Sequence, residues 1–342
     1  MKSIFFRVVV IALLLAGCSQ PVPQPTASPA PEATQTQAPT VTPTLTPEPS
    51  ATPDPYSKYT INYLRSRKYG GGEIQVDEKA GQNSAFARYL IHYPSDGLTI
   101  HGFMDVPNGK GNFPVIIALH GYIAPSIYNT LDYTTRYADA LASAGYFVLH
   151  PNLRSFPPSD SGDDLFRVGM ATDVLNLIAI LKEMGGHAGP LQTADREHIG
   201  MWGHSMGGGV TTRVITVSSD IKAAVLYSAV SGDEQKNYEA IGAWSNSQRG
   251  QDERAVATEE LSLISPMYFY DKIQAAVSIN HGLADSLVPV QWSVETCNEL
   301  KNLGKTVECH YYDGQPHTFE GEGDKEFIQN TIQFFDRYLH AP

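Results

Sequence analysis

The pentad Gly203-His204-Ser205-Met206-Gly207 limits what this chain can fold into more than any other stretch. It reads G-x-S-x-G. Before it, residues 198–202 are mostly apolar and of strand length. After it, residues 208–214 pass from small side chains into a helix-compatible run. A serine between strand and helix stands at the tip of a sharp turn, with glycines relieving the backbone and a helix N-terminus beneath it. Such a unit needs a sheet to stand on, and the rest of the chain has to supply it.

The surrounding sequence alternates accordingly. Residues 87–93 and 98–104 flank Pro94-Ser95-Asp96-Gly97, a β-hairpin signal. Residues 114–119 are continuously apolar, as in a strand buried on both faces. A helix is expected over 132–143, closed by Gly145, then a strand over 146–149. A long helix over 164–184 carries Val168, Ala171, Leu175, Ile178 and Leu181 on one stripe. Beyond the pentad come strands over 222–227, 276–280 and 306–312, with a helix over 290–303. A last helix over 324–339 presents Ile328, Ile332, Phe335 and Leu339 on one face. This predicts an α/β fold: a mostly parallel sheet with helices on both faces and an N-terminal antiparallel hairpin. The segment of about 232–262 breaks the alternation. It is polar, with Trp244 nearly alone as a large apolar residue. Two readings stand for it, a cap over a site and a solvated excursion.

The expected organisation has three parts: 1–17, 18–55 and 56–342. Lys2 and Arg7 bracket a charged start, and residues 8–15 form an apolar core too short for a stable transmembrane span. The core ends in Leu15-Ala16-Gly17-Cys18, which resembles the bacterial lipobox. That resemblance implies cleavage before Cys18, lipid on its side chain, and an exported, membrane-anchored protein. Residues 19–55 are Pro, Thr, Ser, Ala and Gln with almost no large apolar residue, so they are expected to form a disordered tether. An O-glycosylated stalk has a similar composition. The remaining body is rich enough in apolar residues, 42% over the 342-residue chain, to bury a large core. With Lys+Arg 24 against Asp+Glu 36 the net charge is −12, which argues against nucleic acid as a partner.

A serine hydroxyl is a poor nucleophile without an adjacent base, and that base needs orienting by a carboxylate. Two later segments supply them. His281-Gly282-Leu283-Ala284-Asp285 follows one expected strand, and Gln315-Pro316-His317-Thr318-Phe319 follows the next. Both fall at the carboxyl edge of the sheet, where catalytic groups of open parallel sheets gather. Asp313 competes as the acid but sits too close to His317 on the same loop. His120, His204 and His281 read as structural histidines. Asp160, Asp163 and Asp164 read as a solvated helix start. No spacing of His, Asp or Glu calls for a metal, and nothing calls for a cofactor.

With these motifs in order, the chain resembles the α/β-hydrolase superfamily over about 89–339. H-G-x-x-D and the late P-H-x-F look like its prolyl-oligopeptidase and dienelactone-hydrolase branch. G-H-S-M-G-G-G and Gly121-Tyr122-Ile123-Ala124 also look like the cutinase and polyester-hydrolase group. The resemblance implies Ser205 as nucleophile, His317 as general base and acid, and Asp285 as its orienter. It implies an oxyanion hole from the backbone N–H groups of Tyr122 and Met206.

The expected activity is hydrolysis of a small carboxylic ester through an acyl-enzyme. The alternatives are a prolyl-oligopeptidase-type serine peptidase acting on short peptides, and a non-catalytic binding module. The stretch before residue 87 leaves no room for the large β-propeller such peptidases usually carry, which favours the ester. Cys297, on a helix stripe with Val290, Val294 and Leu300, and Cys309, on the following strand, come out level with each other. The helix rises about 9 Å after Cys297 and the strand returns about 10 Å before Cys309. Export permits oxidation, so a disulfide is favoured over two buried thiols.

Overall fold

Strand-forming and helix-forming segments alternate along the body. The computed structural model of the protein describes residue 23, residues 54–132 and residues 134–340. Cys18, the signal segment and nearly all of the tether lie outside the described residues. In chain order the elements are α1 (Ile61–Ser66), β1 (Gln75–Gln82), β2 (Phe86–Ser95), β3 (Leu98–Pro107), β4 (Phe113–Leu119), α2 (Thr135–Ser143), β5 (Phe147–Pro151), α3 (Val168–Met184), β6 (Ala194–His204) and α4 (Met206–Val217). They continue as β7 (Ile221–Tyr227), α5 (Glu234–Trp244), α6 (Gln251–Arg254), α7 (Thr258–Ile264), β8 (Ala276–Gly282), α8 (Val290–Asn302), β9 (Val307–Tyr312) and α9 (Gly321–Leu339).

Among the described residues the strands form one sheet in the order β1-β2-β3-β5-β4-β6-β7-β8-β9. From β5 to β9 neighbouring strands run parallel, while β1, β2 and β3 pair antiparallel and join through β3 to β5. The expected hairpin is β2–β3, whose two-residue turn Asp96-Gly97 follows from the pairing of Ser95 with Leu98. The structure adds β1 to it. QVDEKAGQ shows no apolar alternation because all eight of its residues are exposed, so nothing in the pattern marks it as a strand.

The parallel strands explain their apolar runs. Along β4, Val115, Ile117 and Leu119 enter one core with Val174 and Ile178 of α3 and Val210 and Val214 of α4. Ile116 and Ala118 enter the other, with Leu141 of α2 and Phe335 and Leu339 of α9. β4 is therefore covered on both faces, as the fold class requires of its central strands.

Two local expectations shift, and a third, the disulfide, holds. In α9 the buried residues are Phe327, Thr331, Phe334, Phe335 and Leu339, while Ile328 and Ile332 are only half-buried. Phe327 packs on Tyr227 and Trp202, so the larger ring takes the inner position. Helix α3 starts at Val168 rather than near 164. Phe166 and Arg167 adopt φ of 55° and 60°, which stop a regular helix there. Phe166 is buried, and Arg167 is turned toward Glu234 and Glu253 of the polar segment. The Cys297 and Cys309 side chains are joined in a disulfide, with their Cα atoms 6.4 Å apart.

Candidate active site

Ser205 links β6 to α4 with φ 54° and ψ −115°, a conformation costly to a residue with a side chain. The surroundings over-determine it. The Ser205 N–H donates to the Tyr227 carbonyl at 2.8 Å, and its own carbonyl accepts from Gly209 and Val230. A Cβ on Gly207 would lie 2.5 Å and 2.6 Å from the Leu119 and His120 carbonyl oxygens. Glycine there lets the start of α4 press onto the loop after β4. That close approach brings Met206, the first residue of α4, beside the loop carrying Tyr122. The Met206 N–H heads a helix and has no intrahelical partner.

The acid and histidine loops are built as one unit. A Cβ on Gly282 would meet the Gln315 carbonyl oxygen at 2.2 Å, so only glycine lets the two loops touch. The Ala284 N–H donates to that carbonyl at 3.0 Å, and the Leu283 N–H to the Tyr312 carbonyl at 2.9 Å. His317 Nδ1 then lies 2.8 Å from Asp285 Oδ2. Asp313 is exposed, and it is Asp285 that meets the histidine.

Asp285 is heavily supported. Its Oδ1 accepts the N–H groups of Leu287 and Val288, at 2.8 Å and 2.9 Å. Its Oδ2 also meets His281 Nε2 at 3.1 Å. Burial opposes its ionisation, but hydrogen bonds with His281, His317 and the Val288 N–H outweigh burial and hold the carboxyl well below the usual carboxylate range. His281 is itself buried. Its Nε2 faces two acceptors, Asp285 and the Val288 carbonyl, and so carries the proton, while Nδ1 meets Ser293 Oγ at 2.7 Å. Sequence reading assigned His281 to the core without this contact. The H-G-x-x-D spacing contains it, since the i and i+4 residues of a tight loop can face each other.

His204 plays a comparable part for the histidine loop. It is buried, and its Nε2–H donates to the His317 carbonyl at 3.0 Å. Burial, with His317 alongside, pushes its pKa down to about 3, so it stays neutral. The Phe319 N–H donates to the Tyr227 hydroxyl, fixing the other side of the loop. His120 is buried too, with its ring nitrogens 2.7 Å from the carbonyls of Gly121 and Asn152.

Ser205, Met206, Tyr122 and His317 line one cavity of about 760 Å³. Ser205 itself is half-buried at the cavity wall. The polar segment forms part of the wall through Asn237, Ile241, Trp244, Arg249 and Glu253. Trp244 packs edge-on against the Tyr122 ring at 5.6 Å, and the Arg249 guanidinium lies 4.9 Å from that ring's centre. Of the two readings of the insertion, the cap is the one this geometry matches. Beneath it, Glu234 binds both Arg167 and the buried Arg213.

The acidic trio does not act as a cluster. Asp160 accepts the Thr99 N–H, Asp163 pairs with Lys58 and Tyr59, and Asp164 accepts the Met170 N–H.

This site and sheet place the chain in a known group. Residues 134–341 match the Prolyl oligopeptidase family, and the chain belongs to that family. Its fold is that of the α/β-hydrolase superfamily. The chain is 26% identical over 254 residues to "Uncharacterized peptidase YtmA" of Bacillus subtilis, covering 72% of this chain and 92% of that protein. It is 23% identical over 282 residues to "Uncharacterized peptidase YuxL" of the same organism, covering 76% of this chain but spanning only 41% of that protein. The solved acetyl xylan esterase 1 of Thermoanaerobacterium sp. JW/SL YS485 shares the fold, with 18% identity and a TM-score of 0.60. The match covers 84% of this chain and 94% of that one.

Proposed function

We propose that this protein hydrolyses a small carboxylic ester by acyl transfer through Ser205 to water. The observation that carries the reading is the convergence on one cavity of a serine at a strained elbow and a histidine held 2.8 Å from a buried carboxylate. In this scheme His317 takes the Ser205 proton as Oγ attacks the carbonyl carbon. Asp285 stabilises the imidazolium that results, and its support from His281 keeps it ionised. The N–H groups of Met206 and Tyr122 receive the developing oxyanion. His317 then returns the proton to the leaving alkoxide, and water repeats the sequence on the acyl-enzyme.

A second reading, a peptidase acting on short peptides, is favoured by the family itself. YtmA carries a peptidase name and aligns over 92% of its length to this chain.

The experiment has two arms. A fluorophosphonate probe should label wild type and leave Ser205→Ala unlabelled, with the two proteins melting alike. Equal labelling of both would mean that the nucleophile lies elsewhere. A panel of p-nitrophenyl acyl esters and aminoacyl amides should then give higher kcat/KM on the esters. Faster turnover of the amides, corrected for their intrinsic reactivity, would establish the peptidase instead.

A further inference from the structure

Far from the cavity in sequence and in strand order, three side chains meet on the outer part of the sheet. Asp77 lies on β1, His92 on β2 and His101 on β3. The register places His92 directly opposite His101, so both rings point to the same face, with centroids 5.5 Å apart. Gln75 pairs with His92, so Asp77, two residues further along β1, falls on the histidine face. The register shift between Val76 and Glu78 makes Asp77 the extra residue of a bulge beside His92. Asp77 Oδ1 is 2.6 Å from His92 Nδ1, and Oδ2 is 3.7 Å from His101 Nδ1. One donor atom from each residue falls within 4.8 Å of the others.

We propose that Asp77, His92 and His101 form a site for a divalent transition-metal ion, with zinc(II) as the reference metal, that clips β1, β2 and β3 together. Two imidazoles and a carboxylate suit zinc, copper or nickel, and not calcium or magnesium, which demand oxygen cages. Ligand atoms held tetrahedrally at about 2.0–2.1 Å from an ion lie roughly 3.3 Å apart. The 3.7 Å pair is close to that already. The 2.6 Å pair is a hydrogen bond, which opens by a side-chain rotation of a few tenths of an ångström as the ion replaces the shared proton. Solvent fills the fourth position. Among the described residues neither histidine has a partner at Nε2. Outer contacts that usually raise metal affinity are thus left to water, and binding is correspondingly modest.

The location gives the ion a task. β1 is the edge strand and every one of its residues is exposed, so backbone pairing with β2 and the Asp77–His92 contact hold it to the sheet. An edge of this kind frays and offers itself to foreign strands. An ion bound only by the paired arrangement stabilises that arrangement by mass action.

The test uses the untagged full-length protein stripped with chelator. Titration with zinc(II) against a chromogenic chelator should reveal one equivalent that is missing from the His92→Ala/His101→Ala double variant. Asp77→Asn should weaken that equivalent by at least the roughly 10–100-fold that losing an outer-shell partner costs. Hydrogen exchange should show zinc slowing the β1 amides in wild type but not in the double variant, while magnesium does nothing. Melting in chelator alone should match across the three proteins, which shows that the variants fold. Equal zinc uptake by wild type and double variant, or β1 exchange indifferent to zinc, overturns the proposal.

Discussion

Asp285 shows how a single side chain in this site is determined by groups around it. Two backbone N–H groups and two histidines satisfy its oxygens, and only one of those histidines reaches the cavity. Asp285→Asn presents a donor to His317 and favours the wrong tautomer, so kcat should fall about 10⁴-fold with little change in melting. His281→Ala removes support without touching substrate. It should lower kcat by less, leave KM unchanged, and move the acid limb of the pH–kcat profile to lower pH, since Asp285 then stabilises the ionised pair less well. Steady-state kinetics across pH decides both, and an unmoved acid limb would reduce His281 to packing.

Asp164, at the cavity wall, gives a stability prediction with a definite sign. Burial pushes its carboxyl up to about 7, against the pull of the Met170 N–H and of Arg167. An unfolded aspartate titrates at about 3.9. Between these values the folded chain holds a proton that the unfolded chain has lost, so this contribution is complete below about pH 4 and disappears as pH rises to about 7. Asp164→Asn keeps an oxygen for Met170 and removes the titration. The melting difference should therefore grow in the variant's favour from about pH 4 to 7 and level off above. A difference that stays flat over that window rules the account out.

At the scale of elements, α5 and α6 decide what the cavity admits. Helix α5 is anchored at its start by Asp233, which caps it through the Gln235 N–H, and by Glu234 beneath. Its far end carries Trp244, 62% exposed and resting on Tyr122, so the capped end is tied to the body and the far end faces the cavity. Trp244→Ala removes wall and little core. KM for long or aromatic acyl esters should rise several-fold while acetyl-ester kinetics hold, and stability should change by no more than about 0.5 kcal/mol. Equal losses on short and long esters would show that Trp244 shapes the reacting centre rather than the acyl wall.

At the scale of the whole molecule, the body is one sheet with two cores, and the proposed reaction uses only its carboxyl edge. We propose that the part ahead of the body holds it at a membrane through lipid on Cys18. Wild-type protein expressed in a bacterial host should then fractionate with membranes. Cys18→Ser should appear in the soluble fraction or accumulate with its leader uncut. Soluble wild type with residue 18 unmodified would end the lipid-anchor reading.

Much of this molecule is written in local sequence, and the rest is not, for a physical reason. The elbow, the parallel strands and the two late loops were legible because each depends on a few consecutive residues: glycine where backbones touch, apolar runs where both faces are buried. Asp285 and His317 were legible from their order alone, since each follows a strand that ends at the same edge. The His281 contact and the buried Arg213–Glu234 pair were not, because partner choice depends on which loops pack together. Strand β1 was invisible since an exposed edge strand needs no apolar alternation. The Asp77, His92 and His101 cluster was hidden for a related reason: the pairing of three strands, not spacing along the chain, brings those three together. Local chemistry determined where this chain turns and what each turn carries, and only the assembled sheet decided which of those groups would meet.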